Sequence, residues 1–524
     1  MSEKIFAPNI HLFAFHLRHG FTPNSQPFNV PPEWLEKKYS QILKNFDIHQ
    51  PVNLRADIPK AYRVNLLQGA ENNGKSILKL GKGKTPQDSN NGSIPQIEVE
   101  AVAYPVQIED SYILTLNIRR PQQLDGDAVE IERLKDFNPQ ECFLSNSINS
   151  YLGQTILITA FLDEQQKQKD RQFLQKLADQ CVSAFIHTPD KSKSPLCYQS
   201  GKLFGSPIFE YGIPSQPTTY GHIIVWFFWE EETSKKFINR YGEFIDLFLY
   251  RNKIITAYQN SREDSNVADL QIGQIENNLG EFKQKYALNS AVIDDASTGL
   301  AKISVGQDKS LAQPAVSLNS AQTPDIEILA EADLKELNAR LKVLLNIALD
   351  YSQGQRNLEY YRNTIKINTR NYQQKLHQIQ ELSQEDISFL KTFAENESKV
   401  FQEQIEADLS YFVHGSGLLD KAIATIRGLV EIDQAERDRS LERTIQVVGV
   451  ALGAGQIVGS ATGYIDKPFA PQISPSLPLH PFVSSLIWSL VAVLVAGGLT
   501  WCWTRPKQRR LKNPANKSAN IPRD

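Results

Sequence analysis

The sequence predicts an α/β cytoplasmic domain followed by long, partly coiled-coil helices and a two-helix transmembrane hairpin. Three observations carry this reading. Short apolar runs rich in β-branched and aromatic residues alternate with helical patterns up to about residue 262. No proline lies between Asp325 and Lys467, although the 524-residue chain holds 27. An internal proline removes a backbone hydrogen bond and clashes with the preceding turn, so such a stretch suits long helices. Finally, two uncharged stretches run from Thr444 to Ile465 and from Phe482 to Trp503.

In chain order, residues 1–262 form the α/β domain. IHLFAFHL (10–17), IEVEAVAYPV (97–106), YILTLNI (112–118) and HIIVWFFW (222–229) read as strands. Pro32 to Phe46, Arg171 to His187 and Lys235 to Arg262 read as helices, and GKGKTPQDSNNGSIP after Leu80 as loop. Residues 263–325 are expected to be a linker, partly flexible, because Ser, Ala, Gln and Thr dominate Ser290 to Pro324. Residues 326–443 form a helical stalk. Its seam of Leu334, Leu337, Leu341, Leu344, Ala348 and Tyr351 resumes after Gly354 as Leu358, Tyr361, Ile365, Tyr372, Leu376, Ile379 and Leu382. That spacing keeps one apolar stripe facing a partner helix, in a neighbouring subunit or in the same chain. Ser383 to Asp386 reads as a helix start and Gly415-Ser-Gly417 as a reversal or kink, giving three helices of roughly 55, 30 and 48 residues. The last would be about 70 Å long at ~1.5 Å per residue.

The stretch from Phe482 to Trp503 has the ~20 apolar residues that cross a bilayer, with Trp501 and Trp503 where charges resume. The stretch 444–465 is more polar and carries glycines at Gly449, Gly453, Gly455, Gly459 and Gly463, a small-residue stripe for close helix packing in a membrane. A buried core helix and a glycine-rich soluble helix or loop are the respective alternatives. Gln446 and Gln456 are the pore-facing candidates, although ten residues apart they project about 80° from each other. Arg437, Arg439 and Arg443 precede the pair and Arg505 to Lys517 follow it. The loop 466–481 holds only Lys467 as a basic residue, so the rule that basic flanks stay inside predicts a short outer loop, cytoplasmic termini, a basic tail at 504–524 and a multi-pass cell-membrane location. No secretory signal is visible at the start.

Gly69, Gly74, Lys75 and Ser76 match the phosphate-binding pattern G-x-x-x-x-G-K-[ST], in which backbone N–H groups cradle phosphates and the serine holds magnesium. Glu230 and Glu231 after IIVWFFW imitate its acidic strand. However, Gly81 and Gly83 leave no room for the helix such a loop needs, and Asn73-Gly74 suits a hairpin turn. The match keeps a nucleotide hydrolase open; otherwise no enzyme is expected, and no catalytic residue is identified. His11, His16 and His19 lie close together but lack a carboxylate or cysteine cluster, so a structural role is expected, with no metal and no cofactor. Cys142, Cys181, Cys197 and Cys502 show no metal or disulfide spacing. With Lys+Arg 56 against Asp+Glu 59, the net charge of -3 gives no reason to expect nucleic acid as a partner.

The stalk from about Leu418, the segments 444–465 and 482–503 and the tail from Arg505 resemble in layout the CorA-type magnesium transporter family. The family's Gly-Met-Asn signature is absent, since Gly463-Tyr464-Ile465-Asp466 matches only at the glycine, so recognition of hydrated magnesium is not carried over. The resemblance implies an oligomeric two-helix membrane protein, a channel or transporter gated by its cytoplasmic domain, with the lipid bilayer and further copies of itself as partners. The alternative is a membrane-anchored signalling or defence effector or scaffold whose cytoplasmic domain binds a small-molecule or protein signal.

Overall fold

The structure, a computed structural model, describes residues 3–21, 27–70, 77–87, 95–121, 128–187, 194–216, 220–286, 331–383, 387–461, 472–474, 477–478, 487–495 and 498. It divides into two units. The first comprises Met1–Gln274 and Leu349–Ser416, the second Ile275–Ala348 and Gly417–Asp524.

The first unit is built on a mixed sheet. Its long central strand β1 (Lys4–Leu17) is followed by the small hairpin β2 (His19–Phe21) and β3 (Pro27–Asn29), helix α1 (Glu33–Leu43), β4 (Arg63–Asn65), β5 (Leu78–Lys84) and β6 (Glu98–Ala103). Then come β7 (Val106–Ile108), β8 (Ser111–Arg119), β9 (Ala128–Glu130), short α2 (Ser145–Ile148), β10 (Gln154–Phe161), short α3 (Glu164–Lys167) and α4 (Arg171–Phe185). β11 (Cys197–Leu203), β12 (Ser206–Tyr211) and β13 (His222–Phe228) complete the sheet, and α5 (Glu231–Asn239) leads into α6 (Tyr241–Tyr286). The strand order is β11-β12-β13-β10-β1-β8-β6-β5. β10 and β13 run parallel, and the other neighbours along that order are antiparallel.

Side chains alternate across a strand, so the two faces can be read off the register. One face carries Ile10, Leu12, Ala14, Ile156, Ile158, Val225 and Phe227, buried against Tyr39 and Leu43 of α1 and Leu177 and Cys181 of α4. α4 starts where the Asp170 carboxylate accepts from the Phe173 N–H (2.9 Å), satisfying a donor that the first turn leaves free. The opposite face carries His11, Phe13, Thr155, His222 and Trp226. α5 and α6 cover it through aromatic contacts, with Trp226–Phe237 centroids 5.4 Å apart and Phe13–Phe248 5.3 Å. One side of the sheet is therefore greasy throughout, while the other mixes aromatic rings with polar groups.

The helical arm contributes α7 (Glu331–Ser383), the five-residue α8 (Ser388–Thr392), a π-helical turn Phe393–Glu397 and α9 (Ser398–Ala461). The expected seam is the buried one: Tyr351, Leu358, Ile365, Tyr372, Leu376 and Ile379 are all under cover. Its partners lie in the same chain. In the first unit Tyr351 stacks on Phe412 (4.6 Å), Tyr258 on Phe401 (3.9 Å), and Asp408 pairs with Arg262. In the second unit Leu337 and Leu344 are buried, and Arg340 reaches Glu281 (3.4 Å).

Several expectations change. Gly415 and Gly417 do not interrupt a helix, since α9 is assigned without a break from Ser398 to Ala461. A side chain at Gly415 would overlap the Tyr351 hydroxyl and crowd Ile272, so the glycine allows close helix approach and not a turn. α6 stays helical to Tyr286, into the segment read as linker. The transmembrane hairpin is also corrected. Among the described residues no helix is long and apolar enough to cross a membrane. In the second stretch the described residues, 487–495 and 498, are helical. In the first stretch α9 ends at Ala461, and Ile445 and Gln446 stand exposed directly after the charged residues of the stalk. The intervening loop contains the short pair β14 (Gln472–Ser474) and β15 (Leu477–Pro478). The fold class therefore loses its membrane hairpin, and the multi-pass location, lipid partner and ion-transport assignments lose the feature they rested on. Gly463, Cys502 and the tail 504–524 lie outside the described residues.

Candidate functional site

The sequence-derived candidates do not converge. Gly69 sits in a turn with φ +77° and open space around it, while Gly74, Lys75 and Ser76 lie outside the described residues. Among the described residues the next element along the chain is strand β5, and β4 and β5 pair with β7 and β6 rather than with each other. Glu230 and Glu231 open helix α5, and Glu231 pairs with Lys235 at the surface (3.4 Å). Gly449, Gly453, Gly455 and Gly459 lie on α9. His16 bonds the Leu17 carbonyl (2.9 Å), and His11 contacts the Asn117 amide (2.8 Å) inside an aromatic box of Phe13, Phe237 and Tyr241. Among the described residues no group of three or more His, Cys, Asp or Glu side chains is placed to hold a metal ion.

A different set comes together at one end of the sheet. β10 and β13 begin side by side with Thr155 opposite His222, and β12 arrives from the other side with Glu210. α6 lays Arg251 and Asn252 across them. Glu210 is 2% exposed, Arg251 3% and His222 4%. One carboxylate oxygen of Glu210 receives both His222 Nε2 (3.0 Å) and Arg251 Nη2 (3.0 Å). On the far side of the imidazole, Nδ1 faces Thr155 Oγ1 (3.0 Å), which accepts from Asn252 Nδ2 (3.1 Å). The second amide hydrogen of Asn252 goes to the Phe248 carbonyl (2.8 Å). Donor counting then fixes the chain of protons: amide to hydroxyl, hydroxyl to Nδ1, and Nε2–H to carboxylate.

Electrostatics agrees with that tautomer. Burial, and next the Arg251 cation, push His222 down to about 4, against the opposing pull of Glu210. Burial works against ionising Glu210, but Arg251 and the His222 hydrogen bond outweigh it and hold the carboxyl below the usual carboxylate range. The cluster is thus one carboxylate, one guanidinium and one neutral imidazole, with no net charge.

Beside it opens a cleft of about 240 Å³ lined by Gln154, His222, Arg251, Asn252, Gln259 and the loops on either side. Three glycines with positive φ shape the walls: Gly153 (+81°), Gly212 (+99°) and Gly221 (+70°). A Cβ on Gly212 would come within 2.9 Å of the Gly221 carbonyl, and one on Gly153 within 3.0 Å of Asn252 Oδ1. These walls are bare backbone because nothing larger fits.

Arg251 also faces the helical arm. Its guanidinium lies over the Phe393 ring, 5.1 Å from the centroid, at the first residue of the π-turn. The Tyr198 hydroxyl of β11 donates to Glu397 at the turn's last residue (2.8 Å), and the Tyr372 hydroxyl donates to the Leu390 carbonyl (3.1 Å). Gly201 of β11 has no side chain where Phe389 presses in. Nearby, Asp246 of α6 holds Arg63 and also Lys375 of α7 (3.0 Å).

A carboxylate, imidazole and hydroxyl in line resemble the groups of a nucleophilic triad, but Thr155 is fully buried and its oxygen is already committed to Asn252. The arrangement is built to hold, not to attack. Sequence reasoning missed it because its members are scattered, although Arg251 and Lys253 inside the apolar helix LFLYRNKII were a visible signal of paired buried charge. No family model, no curated protein and no solved structure matches the chain.

Proposed function

We propose that this chain is a ligand-responsive effector or scaffold: the sheet binds a small molecule in the Gly153–Gly212–Gly221 cleft and passes its state to the helical arm. The observation that carries this reading is the double engagement of Arg251. Its Nη2 neutralises Glu210 beside the cleft, and its guanidinium carbon lies over the Phe393 ring where α8 gives way to the π-turn. π-turns store an irregular register and are frequent at functional sites. A ligand that reorients Arg251 therefore acts on both partners at once, and α9 begins one residue beyond that turn.

Hydrogen exchange on the full chain tests the coupling. Arg251→Lys keeps the charge but loses the flat stacking surface. Amides 389–401 are expected to exchange at least about tenfold faster in this variant, with the strands β1 and β8 unchanged. Unchanged exchange at 389–401 would sink the reading. No transport activity is part of it.

A further inference from the structure

The π-turn holds the start of α9 and the segment before it in one of two registers. We infer that α8 and the π-turn form a releasable strap across strand β11, kept in place by the turn's extra residue and freed when the turn closes to regular α-helix. Its trigger rests on the reading that Arg251 couples the cleft to the arm.

Three contacts hold the strap, and they fall four residues apart. Phe389 fills the space that Gly201 leaves open, Phe393 lies under Arg251, and Glu397 accepts from the Tyr198 hydroxyl (2.8 Å). β11 loses register with β12 between Cys197 and Gln199, and such a bulge re-aims the side chain it carries, here Tyr198. Residues eight apart on an α-helix project about 80° from each other, so a regular helix would turn Glu397 away from the face that Phe389 presents. An i→i+5 turn takes up one extra residue, and the same span then counts as seven α-helical steps, about 20° from alignment. The π-turn therefore brings all three contacts onto one line. Phe393 and Phe401, also eight apart, are aligned in the same way, and Phe401 stacks on Tyr258 at the head of the buried seam Phe401, Ile405, Asp408 and Phe412.

The sequence also allows the other register. Counted back from Phe401 in α-helical steps, the seam passes through Glu397, Ala394 and Leu390, one residue out of step with Phe393 and Phe389. Leu390 and Ala394 are apolar and buried, as Phe389 and Phe393 are. Closing the turn rotates the residues before it by about 100° and sets the methyl group of Ala394 where the Phe393 ring lay. Arg251 then loses its aromatic surface, and Phe389 leaves Gly201. Beyond the turn α9 keeps its place, because the Ser398 hydroxyl is bonded to that of Thr369 and Phe401 to the Tyr258 ring. A ligand that draws Arg251 off Phe393 removes a contact made only in the π register, and so releases the strap.

Hydrogen exchange on the full chain, with no ligand added, tests this. Deleting Glu395, which is exposed, removes the extra residue and leaves only the α register. The β11 amides are expected to exchange at least about tenfold faster in that variant, with β1 and β8 unchanged. Gly201→Ala drives a methyl group into the Phe389 ring and is expected to have the same effect in the parent, but none when added to the deletion, where Phe389 no longer meets position 201. The inference falls if the deletion leaves β11 as slow as in the parent, or if Gly201→Ala speeds β11 further in the deletion variant. Should the deletion prevent folding, Gly201→Ala decides alone: a strap that lifts as one speeds the amides at 395–398 by the same factor as those at 388–391, and a change confined to 388–391 overturns it. Arg251→Lys separates the two readings. No change at amides 389–401 in that variant, with β11 freed by the deletion, keeps the strap and overturns its coupling to the cleft; the reverse pair of results keeps the coupling and overturns the two registers.

Discussion

Two histidines are buried on the same face of the same sheet, and they live in opposite electrostatic worlds. His11, on β1, is surrounded by aromatic rings and by the amide of Asn117, and the cation that acts on it is Arg119, which is paired with Glu100 near the surface. Burial, helped by Arg119, pushes it down to about 3. His222, on β13, has a carboxylate on one nitrogen and a hydroxyl on the other, with Arg251 closing the group. Both rings are neutral. The first is kept so by burial with Arg119 helping, the second by burial and the adjacent Arg251 cation, which together outweigh the pull of Glu210. A buried histidine is therefore not a functional signal in itself; the carboxylate and guanidinium around it are.

The comparison can be broken most forcefully at Arg251. Arg251→Met leaves Glu210 buried without its counter-ion and is expected to cost about 3–5 kcal/mol in urea unfolding, most of it recovered by adding Glu210→Gln. A double variant no more stable than the single one would show that the pair is not what stabilises this end of the sheet. His222→Phe strips one donor from Glu210 and leaves the Thr155 hydroxyl proton without its acceptor, and about 2–3 kcal/mol is expected in the same measurement. His11→Phe should cost less, about 1–2 kcal/mol, because Asn117 retains Asn9 as a partner and the aromatic box accepts another ring. Arg119→Ala, on the half-exposed pair, should stay below about 1 kcal/mol.

Acid sharpens the same contrast. Both histidines have folded-state values below the unfolded 6.5, so the unfolded chain binds more protons. Their contribution is present above 6.5 and is lost as pH falls, through about 4 for His222 and about 3 for His11. His222→Phe should remove one histidine's share of the slope between 6.5 and 4, and His11→Phe the same share from 6.5 down to 3, so the two variants part only between about 4 and 3. Identical profiles for the two variants would erase the distinction drawn between the sites.

Much of the frame was legible from sequence. The runs 10–17, 112–118 and 222–229 are β1, β8 and β13, and the helical patterns at 32–46 and 171–187 are α1 and α4, because period and propensity agree there with burial. The seam residues Leu337, Leu344, Tyr351, Leu358 and Ile365 were visible for the same reason. Gly415 was misread because local chemistry says turn, while a close neighbour, Tyr351, decides otherwise. The site was not legible: Glu210 alternates within a strand like any polar residue, and only the meeting of β12, β13 and α6 gives it partners. Apolar composition at 444–503 suggested a bilayer, but composition alone does not decide what covers an apolar helix.

The central position of β1 has a consequence for biogenesis. Its partners β8 and β10 lie roughly 100 and 150 residues downstream, as His11 opposite Asn117 and Leu157 shows. At about 5–20 residues per second, a ribosome needs roughly 7–30 s between making β1 and making β10. Until β8 is made IHLFAFHL has two open edges, and until β10 is made it keeps one. This chain is therefore a natural client for whatever shields emerging polypeptides, and slowing translation before residue 161 should raise its aggregation more than slowing it afterwards.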